Sequence, residues 1–259
     1  MEAAFHDAWA ASIDPGTLAV RENFEAETAC ENRFALAELS PVAGKRLLDL
    51  GCGAGETSVY FALAGARVTA VDLSGEMLRV ARRLAAAHGV SLETVQTPAE
   101  TLPFPDESFD CVFGNGVLHH VALHPTLEEV HRVLVPGGKA VFIEPLPYNP
   151  IIRVYRWIAR AVRTPTETPF SFRELPRIRK TFRRVEHREF WLTTLTLFLY
   201  FFFVRRYHPS RVRYWKRVIE EAEALAPLYR PLKRIDDRLL GAFPFLGRLC
   251  WNTVLVLTK

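Results

Sequence analysis

The chain has 259 residues, of which 49% are hydrophobic and 24% charged, a globular composition that excludes a disordered or low-complexity protein. Its net charge of +4 conceals a division. Residues 1–150 hold 10 Lys/Arg against 20 Asp/Glu, a balance of −10, whereas residues 151–259 hold 23 against 9, a balance of +14. A basic half of this kind can meet nucleic acid, an anionic membrane or an acidic substrate. The N-terminus lacks the basic start and apolar run of a secretory signal. Cys30, Cys52, Cys111 and Cys250 form no CxxC pair, and none has a His at metal-ligand spacing. They read as reduced thiols of a cytoplasmic protein, and no metal site is expected.

In chain order, residues 17–39 predict a helix with acids on its exposed side. Short apolar runs then alternate with helical ones. Arg46–Leu50 is a predicted strand, Glu56–Ala64 a helix and Arg67–Val71 a β-branched strand. Ser74 is the expected N-cap of a helix over Gly75–His88, closed by Gly89. Leu92–Gln96, Phe109–Phe113 and Lys139–Glu144 are further strands, with a helix near Pro125–Leu134. This alternation predicts an α/β protein with a parallel sheet covered on both faces. Beyond Pro150 the rhythm weakens. Ile151–Val162 is helical, Val185–Trp191 a late strand and Asn252–Thr258 a terminal strand. Leu192–Leu249 forms an insertion between those two. No linker marks it as a separate domain. The regions expected are an N-terminal helical lid (1–45), a ligand-binding core (46–150) and a basic, apolar-rich cap with the last strands (151–259).

The sharpest motif is Leu47-Leu48-Asp49-Leu50-Gly51-Cys52-Gly53-Ala54-Gly55, which follows a strand and opens a helix. Glycines there let the backbone turn tightly and approach a ligand. The spacing is GxGxG, and Glu56 stands where GxGxxG would place its third glycine. Asp49 precedes the turn, and a carboxylate suits an ammonium group but repels a pyrophosphate. Asp72 ends the second strand, where an acid accepts hydrogen bonds from ribose hydroxyls.

LLDLGCGAG, VTAVDLS, AETLPFPDESFD, GVLHHV and RVLVPGGK occur in that order over about residues 40–145. As an ordered set they resemble the class I S-adenosylmethionine-dependent methyltransferases, in the branch typified by ubiquinone and menaquinone biosynthesis methyltransferases. The resemblance implies a Rossmann-like, seven-stranded, mostly parallel sheet with an antiparallel last strand, here joined by a mainly helical C-terminal insertion. It also implies S-adenosyl-L-methionine as cofactor. Asp49 and the turn of Gly51, Cys52, Gly53 and Gly55 would hold the methionine part. Asp72 would bind the ribose, with Leu73 beside the adenine. Ala99 and Glu100 would line the adenine pocket, and Asn115 would contact the methionine end through its backbone. The family often has Asp before Ala-Glu, but here that residue is Pro98, so the adenine amino group loses its usual carboxylate.

Methyl transfer from a sulfonium needs alignment above all, and a base only where the acceptor must lose a proton. His119 and His120 follow one strand and Glu144 ends its expected neighbour. In some small-molecule methyltransferases that this sequence resembles, the first His of LHH pairs with an acid at this strand end. His119 is therefore the expected base and Glu144 the residue that orients it; the alternative is that the pair only holds the loop. Phe5, His6, Trp9 and Tyr148 are weaker candidates for the acceptor pocket.

In the basic half, Arg153, Arg156, Arg160 and Arg163 share one helical face beside an apolar stripe with Trp157. The run Phe190–Val204 is too short to span a bilayer. It could dip into one leaflet, wall an acceptor pocket or pack as core. With no nucleic-acid-binding module in sight, lipid contact ranks ahead of RNA. The reading is a cytoplasmic or peripheral-membrane methyltransferase for a small hydrophobic acceptor. The rivals are an NAD-type oxidoreductase and a non-catalytic membrane-binding protein of the same fold. The oligomeric state and the acceptor atom are not legible.

Overall fold

The computed structural model describes residues 2–159 and 167–259. Seven strands form one sheet: β1 (Arg46–Leu50), β2 (Arg67–Asp72), β3 (Glu93–Gln96), β4 (Phe109–Asn115), β5 (Leu134–Pro145), β6 (Arg184–Phe190) and β7 (Asn252–Thr258). Their order is β3-β2-β1-β4-β5-β7-β6. The first five run parallel, and β7 lies antiparallel between β5 and β6. The order reverses between β1 and β4, so a crevice opens at the carboxyl ends of those strands.

Helices α1 (Glu2–Ala10), α2 (Glu22–Glu25), α3 (Cys30–Leu39), α4 (Glu56–Leu63), α5 (Gly75–Ala87) and α6 (Leu123–Val133) belong to the first half. The second half carries α7 (Pro150–Ile158), α8 (Leu175–Thr181), α9 (Leu197–Phe203), α10 (Tyr214–Glu220) and α11 (Ala222–Ala242). Alternate residues of each strand feed opposite faces of the sheet. Leu47, Phe113, Ile143 and Val254 meet α3, α7 and the C-terminal helices on one face. Leu48, Val112, Phe142 and Leu255 meet α6 and α8 on the other. Ser74 caps α5 as expected, its hydroxyl accepting from Met77 N at 3.1 Å.

The helix expected over 17–39 is broken into α2 and α3. Buried Thr28 sits in the gap and donates its hydroxyl to the Val218 carbonyl of α10 at 2.5 Å. Asn32 donates to the Asn23 carbonyl at 2.6 Å. Tertiary bonds of this kind override local helix propensity. Nor do all the acids of this segment face solvent: Glu31 turns inward and accepts from Trp191 Nε1 and Asn252 Nδ2 at 2.8 and 3.2 Å.

The expected helix over Ile151–Val162 is seen as α7, and its continuation, with Arg160 and Arg163, lies outside the described residues. The apolar run 190–204 is divided. Trp191, Leu195, Leu197, Phe198 and Phe201 are buried in the core. Phe198 packs on Tyr155, Tyr214 and Trp251 with ring centroids 4.9–5.3 Å apart. Leu199, Phe203 and Val204 remain exposed. Among the described residues no helix is long and apolar enough to cross a membrane.

Candidate active site

The turn after β1 gives its three glycines different surroundings. Gly51 and Gly55 have φ of +69° and +90°, and a Cβ on either would meet protein, Val117 Cγ2 or Ala81 Cβ, at 2.6 Å. Gly53 has φ +52°, yet a Cβ there would meet nothing within 4 Å. Gly51 and Gly55 therefore serve close packing of the chain on itself, while Gly53 faces open space. Cys52, between them, is buried, and burial pushes its thiol up.

Asp49 lies beneath this turn, 1% exposed. Its Oδ2 accepts from Ser58 Oγ at 2.5 Å and Thr57 Oγ1 at 3.0 Å, both at the start of α4. Burial pushes its carboxyl up to about 6, against the two hydroxyls that hold it down. At the end of β2, Asp72 accepts from Gly53 N at 2.9 Å through Oδ2 and from Ser74 N at 2.8 Å through Oδ1. Burial raises its pKa too, opposed by those amides and by the charge of His6. Leu73, next in the chain, is 42% exposed. An apolar side chain held open beside a carboxylate suits a purine with its ribose.

Ala99 is buried, and Glu100 bonds the start of α6. Its Oε1 accepts from Ala122 N at 2.8 Å, at the start of α6. Asn115 ends β4 and donates through Nδ2 to Asn32 Oδ1 at 3.4 Å.

Beyond β4 the sharp turn Leu118–His120 carries the histidine pair. His119 Nδ1 is 2.7 Å from Glu144 Oε2, both residues being buried. Glu144 Oε1 accepts from Val117 N and Leu118 N at 3.0 and 2.7 Å. One carboxylate thus pins the loop and the imidazole together. Donation of Nδ1–H to it leaves the His119 Nε2 lone pair as the basic site. His120, its ring centroid 4.1 Å from that of His119, is lowered to about 4, chiefly by burial.

The sequence reading expected an N-terminal lid but not the Asp7 and Ala10 contacts that hold α1 to this edge. Asp7 Oδ1 accepts from Ser74 Oγ at 2.5 Å and from Glu76 N at 3.5 Å. Ala10 packs with Ala54, Met77 and Val80. The Arg213 guanidinium lies 3.6 Å from the Trp9 ring centroid, a cation–π contact between α1 and the cap region. His6 and His120 meet edge to face at 5.8 Å. Tyr148 instead bonds Ser171 Oγ at 3.0 Å and stacks on Phe172. The one signal that could have placed α1 is its cluster of Phe5, His6, Asp7 and Trp9 ahead of a turn at Pro15-Gly16.

A strand-order reversal at β1/β4, a glycine turn open at Gly53 and a carboxylate on the second strand are the features of a Rossmann-like nucleotide-binding fold. Residues 48–142 match the methyltransferase domain family. Over 117 residues the chain is 43% identical to the demethylmenaquinone methyltransferase of Clavibacter sepedonicus, covering 44% of this chain and 47% of that protein. It is 38% identical over 127 residues to the ubiquinone/menaquinone biosynthesis C-methyltransferase UbiE of Hahella chejuensis, covering 46% and 51%. The chain thus spans about half the length of the curated relatives it matches. Two solved structures share its fold. A putative methyltransferase of Haloferax volcanii, in complex with its Trm112 activator, has a TM-score of 0.60 at 21% identity, covering 99% of this chain and 96% of that one. An S-adenosylmethionine-dependent methyltransferase of Mesorhizobium loti has a TM-score of 0.55 at 22% identity, covering 89% and 98%.

Over its matched half the chain is a methyltransferase domain of the class I S-adenosylmethionine-dependent type, related to the demethylmenaquinone and ubiquinone/menaquinone branch. Its cofactor is S-adenosyl-L-methionine, and the residues fit it: the space over Gly53 admits a ligand backbone, and Asp72 and Leu73 offer a carboxylate and an apolar face.

Proposed function

We propose that the chain transfers the methyl group of S-adenosylmethionine to a small, hydrophobic, quinone-like acceptor, with His119 as the base and Glu144 as the residue that positions it. The observation that carries this reading is the 2.7 Å contact between buried His119, on the loop beside the cofactor turn, and buried Glu144, on β5. The bound cofactor supplies a methyl group already activated on a sulfonium. Gly51, Gly53 and Gly55 shape the floor on which its amino-acid end rests, and Asp72 takes the ribose hydroxyls. His119 Nε2 receives the proton of a hydroxyl, or of an acidic carbon, as the acceptor attacks. Glu144 fixes the tautomer that keeps this lone pair available and stabilises the imidazolium that results. Helix α1 serves as a lid, tied to the core through Asp7 and to the cap through Trp9.

A hydrophobic acceptor resides in membranes, and the basic half suits their surface. Val154, Trp157, Phe203 and Val204 are exposed on α7 and at the end of α9, two helices that pack through Tyr155 and Phe198. Arg153, Arg205 and Arg206 are exposed beside them. Apolar side chains set among cations are what an anionic lipid surface binds.

The test is release of demethylated cofactor by the purified chain, given S-adenosylmethionine and a demethylated quinol in detergent. The wild type turns over, and His119→Ala is slower by about 10²–10⁴ while cofactor affinity persists. Turnover equal in the two proteins would remove His119 from the chemistry.

A further inference from the structure

Three ligand-bearing side chains meet at the rim of the site, and the methyl transfer above uses none of them. Glu2 and His6 stand four residues apart on α1, so they share one helical face. His120 comes from the turn after β4. Glu2 Oε2 lies 3.7 Å from His6 Nε2 and 3.5 Å from His120 Nδ1. One ligand atom of each residue falls within 4.8 Å of the other two. These are ion-pair distances between one carboxylate and two imidazoles, longer than an ordinary hydrogen bond. They are also close to the edges of a coordination polyhedron, since ligands about 2.1 Å from a tetrahedral ion stand about 3.4 Å from each other.

We propose that Glu2, His6 and His120 form a binding site for a divalent transition-metal ion of the zinc or iron(II) class. Two imidazoles and one carboxylate are the donor set of such ions, whereas magnesium and calcium prefer all-oxygen shells. Paired ligands at i and i+4 on one helix, completed from a second element, leave at least one coordination position open. A second carboxylate stands nearby: Glu167, whose Oε2 accepts from Arg156 Nη2 at 3.0 Å, groups with His119 and His120 within 4.8 Å. The ion clips α1 to the loop that follows β4. The same helix reaches the cofactor turn through Asp7 and Ala10, so metal and cofactor bind with positive coupling. Spacing shows only the Glu2 and His6 pair, because His120 comes from a distant part of the chain.

The test uses the full chain without an affinity tag, stripped of metal and titrated with Co²⁺ as an optical probe. The expected result is one equivalent bound, with visible absorption bands of a low-symmetry N₂O site. Glu2→Gln, His6→Ala and His120→Ala should each weaken binding by at least about tenfold. His124→Ala should leave it unchanged, because His124 pairs with Glu174 at 2.8 Å outside this cluster. Circular dichroism establishes that each variant is folded. If one of the three variants fails to fold, the other two decide. Co²⁺ binding by the wild type no tighter than by folded His6→Ala or His120→Ala would overturn the proposal, as would its loss in His124→Ala.

Discussion

Val117 Cγ2 stands 2.6 Å from the point where a Cβ on Gly51 would lie. The same residue's amide donates to Glu144, the partner of His119. Cofactor turn and acid–base loop are thus pressed together through one side chain, and the position of one fixes the other. Gly53, two residues on, has no such neighbour.

Gly51 and Gly53 should accordingly respond differently to the same change. Gly51→Ala meets both a clash and a left-handed φ, so it should lower unfolding stability by about 2–4 kcal/mol. Gly53→Ala meets only the φ cost, about 1–2 kcal/mol, and leaves a folded protein. Gly53→Val should add bulk where the cofactor rests and abolish its binding. Thermal unfolding and calorimetric titration of the variants check this. Equal stability losses at Gly51 and Gly53 would contradict the division of roles.

Asp49 predicts a pH dependence. Its carboxyl rises from an unfolded value near 4 to about 6 in the folded chain. Between those values the folded state holds more protons than the unfolded one, so this group's contribution to stability falls as pH rises from about 4 to 6 and is level above that. Asp49→Asn keeps an oxygen for Ser58 and removes the titration. The melting temperature of the wild type relative to Asp49→Asn should therefore drop across pH 4–6. A difference that stays constant across that window would mean that Asp49 is not raised.

Glu144→Gln separates positioning from packing. An amide oxygen can still accept from Val117 N and Leu118 N, but an amide N–H facing His119 Nδ1 forces the other tautomer and consumes the lone pair at Nε2. The rate should fall by about 10²–10⁴, the pH–rate profile should change shape, and cofactor affinity should stay within about twofold. A merely structural role would instead lower stability and leave the profile unchanged.

Membrane contact is checked by co-sedimentation with vesicles of anionic or neutral lipid at low and high salt. Binding should require anionic lipid and weaken with salt, at about 1 kcal/mol per engaged cation. Trp157→Glu and Phe203→Glu should each reduce it. Absence of binding to anionic vesicles at low salt would remove the membrane from the account.

The parallel core was readable because its signals are local. Strand periodicity, the Ser74 cap and the Gly51–Gly55 turn each depend on a few neighbouring residues, and all stand where expected. The break at Thr28 was not readable, because the carbonyl that captures its hydroxyl belongs to Val218, far along the chain. The apolar run 190–204 stayed open between leaflet, pocket wall and core for the same reason. Its aromatics are absorbed by Tyr155, Tyr214 and Trp251, which periodicity cannot assign to one cluster. At the site, the sequence named His119, Glu144 and His6 and expected an N-terminal lid, but it gave no hint that Asp7 would tie α1 to Ser74 after the second strand.

Calorimetric titration of the full chain with S-adenosylmethionine, its demethylated product and NAD addresses the central claim most directly. The account predicts one site for the first two ligands, lost in Gly53→Val and weakened at least about tenfold in Asp72→Ala, with no heat from NAD. Binding of NAD through the same residues, or S-adenosylmethionine binding that survives Gly53→Val unchanged, would contradict it.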